Sequence, residues 1–414
     1  MKFIDLFCGI GGFHQALSNV GFECVFACDI NAKCRSIYKE NYNMEPKSDI
    51  RDIIIKDIPK FDILCAGFPC QAFSKAGKQN GFNDDRGNLF FNIYKIIKFH
   101  QPKYLIMENV RNLLSHDKGD TWKVIYKSIK KLGYYTYEKP LILNTLHFNI
   151  PQSRERVIII CSKNKLLEKP IIPKINKSDI SNKIKDIINK KEKEINKKYK
   201  INGKLLDVYN IWNKFIKILV KNNVNAPKYP IWTDWWDSDG KNTSIYKINP
   251  KLSDDENQKI INQKQKNFYK KYKRWIENNR KFFLENKKIL EVWLKKSREN
   301  ENWKGAVRKL EWQAGDFIKN DCLDKTLWTC RGSGVRVKRL NYTPTLVAMS
   351  HIPIYGPELR KLTPREVLRL QSFPESFKII GSDSDIYKQV GNAVNVKMIE
   401  KVCRFLIFNE PIFN

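Results

Sequence analysis

The sequence predicts an α/β protein: βα units repeated around a mostly parallel sheet, interrupted by an inserted, mostly helical small domain. Three observations predict it. Residues 1–162 alternate short apolar runs with helical patterns, the runs falling at 3–6, 24–28, 63–66, 104–107 and 157–161. From about Lys163 the rhythm stops: Lys and Asn dominate, strand-like runs thin out, and helical patterns such as 258–294 take over. At 414 residues the chain also exceeds the roughly 250–300 at which single cores stop growing. Patterned sequence returns near Arg331, with helix signals over 364–370 and 395–408. The expected organisation is one domain built from both chain ends, residues 1–162 and 335–414, around an insertion at 163–334.

The charge balance narrows the partner. There are 76 Lys and Arg against 44 Asp and Glu, a formal net charge of +32, which points to a polyanion and to nucleic acid first. Residues 163–330 hold 40 basic and 21 acidic side chains, so the middle of the chain carries most of the excess. A composition rich in Lys, Asn and Ile accounts for part of this, so charge alone does not decide function. No apolar run approaches the roughly 20 residues of a membrane span, and Met1 leads straight into a strand-like run; a cytoplasmic protein is expected. Ten cysteines without a CxxC pair, and only five histidines, fit neither a disulfide scaffold nor a zinc site, so no metal is expected.

The first run leads into Asp5-Leu6-Phe7-Cys8-Gly9-Ile10-Gly11-Gly12-Phe13. A Gly-rich turn between strand and helix lets backbone approach a ligand at the sheet's carboxyl edge, and a nucleotide-like ligand is the natural guess. The stretch lacks the GxGxxG spacing of the dinucleotide fingerprint, and such a turn can simply join strand to helix. The second run ends at Asp29, a carboxylate suited to both hydroxyls of a ribose, and Asp49-Ile50 offers a further acceptor and an apolar wall. Each acid taken alone reads sooner as a helix cap or a solvated loop residue; their order after successive strands raises the functional reading.

The third run opens onto Gly67-Phe68-Pro69-Cys70-Gln71-Ala72-Phe73-Ser74, placing Cys70 in a loop at the same edge, with Pro69 restraining its entry. Together with Glu108-Asn109-Val110, Gln152-Ser153-Arg154-Glu155-Arg156 and the 389–394 stretch ending in a Gly391-Asn392 helix start, these motifs stand in one order. In them the chain resembles the DNA cytosine carbon-5 methyltransferases over residues 1 to about 162 and about 331 to 414. The resemblance implies a Rossmann-like S-adenosylmethionine-dependent methyltransferase sheet and S-adenosyl-L-methionine as cofactor.

The chemistry explains the residue types. Cytosine carbon 5 is too poor a nucleophile to attack a methyl sulfonium, but a thiolate added to carbon 6 makes the ring an enamine that can; the resemblance makes Cys70 that thiolate. It makes Glu108 the acid at ring nitrogen 3, and Arg156 the group holding the cytosine oxygen, with Arg154 beside it. Without it, the alternating arginines would read as a solvated face or a phosphate contact. It further implies that Phe7 stacks on adenine, that Gly9, Gly11 and Gly12 pass the methionine moiety, that Pro69 adjoins the cofactor, and that Asn392, Ala393 and Val394 close the site. Ile30 departs from the family, many members carrying a tryptophan there. Gln71, Ser74 and Arg86 fall to the DNA side, in or near a mobile loop with Gly77 and Gly81 as hinges. The target base must be flipped out of the duplex, at a cost of roughly a few kcal/mol.

Relatives place their target-recognition domain where the basic insertion lies. Trp232, Trp235 and Trp236 read there as the aromatic core of a small domain rather than base-stacking platforms. Arg331 and Arg336, in a Gly-rich basic stretch, suit contact with phosphates or bases. Two rivals stand beside this reading. An RNA methyltransferase of the same family resembles a chain with a much smaller insertion, and a non-catalytic DNA-binding regulator would not need Cys70, Glu108 and Arg156 intact. The expected partners are double-stranded DNA and, functionally, a restriction endonuclease, the enzyme itself being a monomer.

Overall fold

The computed structural model describes residues 1–69, 89–175, 184–188, 197–236, 254–347 and 351–413. They fall into two compact units: Met1–Asn189 with Tyr342–Ser350 and Thr363–Asn414, and Lys190–Asn341 with His351–Leu362. The domain limits read from composition were 162/163 and 334/335. The structure instead carries the second unit through 334–341, because a hairpin strand runs on to Arg339, and leaves 163–189 with the first unit.

The first unit is built on a seven-stranded sheet. Strands β1 (Lys2–Leu6), β2 (Glu23–Cys28), β3 (Ile63–Ala66) and β4 (Tyr104–Val110) lie parallel in the order β2-β1-β3-β4. β5 (Tyr135–Thr136), β6 (Leu141–Asn144) and β8 (Glu155–Ser162) complete it antiparallel, both β5 and β6 pairing β8, while β7 (Gln152–Ser153) lies outside this sheet. All five runs read from the sequence are strands of this sheet. Ile63, Leu64, Cys65 and Ala66 are wholly buried, as a central strand covered on both faces must be, which is why the run is continuously apolar rather than alternating.

Local chemistry fixes the helix ends that matter. Helix α1 (Gly12–Ser18) starts from Gly11, held at φ +85°; α2 (Ala32–Tyr42) starts from Asn31, whose side chain accepts the Lys33 and Cys34 N–H groups. Helix α3 (Leu89–His100) buries Phe90, Ile93, Ile96 and Ile97. Towards the C-terminus, the helix Pro364–Leu370 has a Thr363–Glu366 capping box and Pro at its start. The expected helix start at Gly391-Asn392 is corrected: these residues end the helix Asp383–Asn392, and the next helix, Val396–Phe408, begins after Asn395, whose side chain accepts the Met398 N–H. The cap at Asn395, not the glycine, sets the start.

Asp5 on β1 is fully buried; its Oδ2 accepts the His14 N–H at 3.3 Å, and Oδ1 has no hydrogen-bond partner among the described residues. Burial drives its carboxyl well above the usual range, partly opposed by the His14 N–H. A carboxyl raised on folding contributes stability that is complete below its unfolded pKa and is lost as pH rises through the folded value. Asp5→Asn, uncharged at every pH, is therefore expected to melt higher than wild type at pH 8, with an advantage that is smaller at pH 5 and gone only below the unfolded Asp pKa of about 3.9. Equal differences at the two pH values would show that Asp5 is not held protonated.

In the first unit β13 (Thr343–Pro344) pairs β7. In the second unit β9 (Ile231–Trp232), β10 (Lys309–Trp312), β11 (Thr326–Arg331), β12 (Gly334–Arg339), β14 (Ile354–Tyr355) and β15 (Arg360–Lys361) form a six-stranded sheet in the order β15-β14-β11-β12-β10-β9, packed with helices that among the described residues include Gly203–Lys221, Asp254–Glu285 and Lys287–Arg298. Its core is aromatic: Trp212 is wholly buried, with Trp293 and Trp303 rings at 5.7 and 5.0 Å. Trp236 belongs to this core, and Trp235 is buried against the half-buried Trp232, so the tryptophans pack as a small domain's interior. β11 (Thr326–Arg331) and β12 (Gly334–Arg339) form the hairpin that carries Arg331 and Arg336.

Candidate active site

In the first unit, β1, β2, β3 and β4 deliver their carboxyl ends to one cavity of about 850 Å³. The residues just beyond the strands line it: Phe7 and Gly9 after β1, Asp29 and Ile30 after β2, Pro69 after β3, Glu108 at the end of β4. Ligands of open α/β sheets bind at this edge, and the volume is that of a cofactor pocket.

The Gly-rich turn is shaped by two glycines with different reasons. Gly9 has φ +53° and open space where a Cβ would stand. At Gly12 a Cβ would lie 2.7 Å from Val394 Cγ2 and 2.8 Å from the Val394 carbonyl oxygen, so the absent side chain lets the C-terminal segment close on the turn. Asp29 holds the turn from the other side: Oδ2 accepts the Gly9 N–H and Oδ1 the Asn31 N–H, both at 2.8 Å. Each oxygen keeps an acceptor position for a ligand hydroxyl. Burial raises the Asp29 carboxyl, against the pull of those two donors. Ile30 is 70 % exposed yet lines the cavity, a bare apolar surface beside Phe7 and Ile50. Asp49 also lines it, but its side chain caps the 3-10 turn Ile50–Asp52 and pairs with Arg51, which lowers its pKa. Carboxylate acceptors, an apolar wall and a backbone cradle in one cavity fit an adenosine carrying an amino-acid tail.

The other side of the cavity holds a buried ion pair. Arg156 Nε lies 2.8 Å from Glu108 Oε1, both side chains nearly buried. Glu108 Oε1 is buried, with Arg156 as its charged neighbour. Desolvation raises the Glu108 carboxyl; Arg156 and Arg154 pull it down, and burial prevails. Glu108 thus takes up a proton more readily than a solvated carboxylate does, while sitting in a ligand cavity.

Arg154 is wholly buried and turned to backbone: Nη1 donates to the Leu346 and Gly391 carbonyls at 3.0 Å each, Nη2 to Ala393 at 2.9 Å. Burial, then Arg156, lowers its pKa to about 9. Gln152 adds bonds from Nε2 to the Leu370 carbonyl and from the Leu346 N–H to Oε1. These two side chains bind the C-terminal segment to the sheet. Asn109 performs the same service for the loop after β3, donating to the Phe68 carbonyl at 2.9 Å.

Of the residues expected from sequence, Phe7, Gly9, Gly12, Asp29, Ile30, Asp49, Ile50, Pro69, Glu108, Arg154, Arg156, Asn392, Ala393 and Val394 share this cavity. Gly11 does not line it; the space where its Cβ would stand is taken by Tyr42. Cys70, Gln71, Ser74 and Arg86 lie outside the described residues, and Arg331 and Arg336 belong to the second unit. Sequence reasoning passed over Asn92 of α3, which lines the cavity about one helical turn after Leu89, another lining residue.

Comparison with known proteins agrees with this geometry. Residues 1–407 match the family model described as C-5 cytosine-specific DNA methylase. The chain is 33 % identical to the type II methyltransferase M.HgiCI of Herpetosiphon aurantiacus, over 97 % of this chain and 96 % of that one. It is also 33 % identical to M.HpaII of Haemophilus parainfluenzae, over 96 % and 87 %. In fold it is similar to the Dnmt2 methyltransferase of S. pombe, with a TM-score of 0.52 at 19 % identity and 99 % coverage of both chains. The chain therefore belongs to the C-5 cytosine-specific DNA methylases, and is a DNA cytosine-5 methyltransferase that uses S-adenosylmethionine.

Proposed function

We propose that the enzyme works through a covalent adduct of Cys70 with carbon 6 of a cytosine flipped out of duplex DNA. The observation that carries this reading is the Glu108–Arg156 pair, buried in the cavity that the Gly-rich turn lines and that the loop towards Cys70 enters. The cofactor supplies an electrophilic methyl group on a sulfonium. Phe7, Ile30 and Ile50 offer apolar contact to its adenine, Asp29 accepts from its ribose, and the turn at Gly9 passes its amino-acid end.

The chain's own groups prepare the cytosine. The Cys70 thiolate forms a bond to carbon 6, and the electron pair displaced from the ring is neutralised as Glu108 gives its proton towards nitrogen 3. Arg156, fixed by Glu108, donates to the cytosine carbonyl oxygen. Carbon 5 then takes the methyl group as the bond from that methyl to the sulfonium sulfur breaks; water or hydroxide removes the carbon-5 proton, the Cys70–carbon 6 bond breaks with its electron pair returning to sulfur, and nitrogen 3 gives its proton back to Glu108 as the aromatic ring is restored. Arg154 touches backbone carbonyls and acts as a positioning residue. Gln71, Ser74 and Arg86 contact the DNA around the extruded base.

The basic second unit reads the target, with Arg331 and Arg336 of the β11–β12 hairpin as contacts to phosphate or base edges. Arg336 Nε lies 2.9 Å from Glu311, which orients it. M.HgiCI and M.HpaII are type II methyltransferases, and we assign this chain a protective role beside a restriction endonuclease. The test is methyl transfer from labelled S-adenosylmethionine to duplex DNA and to RNA, with base-resolution mapping. Label at carbon 5 of a cytosine within one short duplex motif is expected. Label spread without sequence preference would remove target recognition, and label in RNA alone would remove the substrate assignment.

A further inference from the structure

Beneath the Gly-rich turn lies a buried polar cluster whose members come from α1 and α2. Tyr42, the last residue of α2, donates its hydroxyl to the Gly11 carbonyl at 2.9 Å. Its ring occupies the space a side chain at position 11 would need: a Cβ there would fall 2.1 Å from Tyr42 Cε2. The ring is itself held on its other side, stacked on His14 at 3.9 Å and 16°. His14 Nδ1 in turn meets the Tyr38 hydroxyl at 2.7 Å, in a hydrogen bond shared between the two. Tyr38 is wholly buried and His14 nearly so, so neither ring has room to move away from Tyr42.

From this geometry we infer that Tyr42 is a positioning residue for S-adenosylmethionine, setting the Gly9–Gly12 turn in its cofactor-binding shape from the side opposite the ligand. The turn is gripped at two points by groups on neighbouring elements. Asp29 fixes the Gly9 N–H from the cavity side. Tyr42 fixes the Gly11 carbonyl from below, where Gly11 at φ +85° turns the chain into α1. The Gln15 N–H also bonds that carbonyl at 2.9 Å, so the start of α1 keeps a partner without the tyrosine hydroxyl. The hydroxyl's contribution is therefore to the orientation of the turn rather than to the existence of the helix. A turn free to tilt presents its backbone less often in the shape the cofactor fits, and apparent affinity falls by that fraction.

The inference rests on the turn being where the cofactor binds, and a direct binding measurement separates the two. Calorimetry with S-adenosylmethionine and with S-adenosylhomocysteine is run on wild type, Tyr42→Phe and Tyr38→Phe, together with the dependence of kcat and KM on each substrate. Tyr42→Phe keeps the ring that fills the space under Gly11 and removes only the hydroxyl. It is expected to raise Kd and KM for the cofactor about fivefold, the worth of one hydrogen bond, with kcat and KM for DNA within twofold. Tyr38→Phe removes a hydroxyl that meets His14 and not the turn, and is expected to weaken cofactor binding clearly less than Tyr42→Phe does. Equal cofactor Kd in Tyr42→Phe and wild type overturns the inference. So does equal weakening in both variants, which would make the cluster a general support. A wild type that does not bind the cofactor at all would overturn the site assignment instead.

Discussion

Cys70→Ser is expected to reduce methyl transfer to DNA by at least about 10³-fold, as loss of a covalent nucleophile does elsewhere, while cofactor affinity stays within twofold. The substitution exchanges one atom. A hydroxyl is almost wholly protonated at neutral pH, whereas a thiol supplies a useful fraction of thiolate and is the better nucleophile towards an electron-poor ring carbon. Without addition at carbon 6, carbon 5 stays too electron-poor to take the methyl group, however well cofactor and cytosine are bound. Parallel measurement of tritium incorporation and calorimetric cofactor binding checks this. Transfer that survives in Cys70→Ser at a tenth of the wild-type rate would rule out the covalent route.

Glu108→Gln should cost about 10²- to 10⁴-fold in kcat, the usual range for a lost general acid, with KM for the cofactor little changed. The amide can still donate a hydrogen bond to ring nitrogen 3 but cannot release a proton, so the experiment separates proton donation from mere contact. The pH profile gives a second readout. Glu108 must be protonated to act, and burial raises its pKa; the wild-type rate therefore falls as pH rises through that raised value. In Glu108→Gln this alkaline fall should be missing. A glutamine variant that keeps both the wild-type rate and the fall would move the acid's role to another group. Because Arg156 is paired with Glu108, a Glu108→Ala change would leave a nearly buried guanidinium without its carboxylate and confound stability with catalysis; the isosteric amide avoids most of that.

Much of this site was legible in the sequence because the sheet makes it so. Four of the five apolar runs, each followed by a chemically distinctive residue, put Phe7, Asp29, Pro69 and Glu108 at one edge without any knowledge of side-chain positions. What was not legible depends on contacts across long separations. Tyr42 reaches Gly11 over 31 residues, and nothing in a Tyr at a helix end announces a carbonyl partner. Arg154 stands in the break between β7 and β8, whereas Arg156 lies on β8, so their two-residue spacing does not give them one environment. Sequence placed both among the catalytic residues, yet one faces Glu108 and the other ties down carbonyls nearly two hundred residues and more away. Asp49 was read as a cofactor acceptor with helix capping as its alternative, and it does cap, while also lining the cavity. The Gly391-Asn392 step was misread because glycine at a helix end and at a helix start look alike in sequence; the capping side chain that distinguishes them, Asn395, stands three residues further on.

The covalent role of Cys70 is tested most directly by trapping. A duplex carrying 5-fluorocytosine at the mapped target position is incubated with the enzyme and S-adenosylmethionine, and the product is denatured and examined by mass spectrometry. Fluorine at carbon 5 cannot leave as a proton does, so the adduct cannot resolve. The predicted result is a denaturation-resistant complex whose mass is protein plus DNA plus one methyl group, with the DNA attached to the peptide containing Cys70. A duplex that is bound and specifically recognised, yet yields no such complex, or yields one attached elsewhere, would contradict the account.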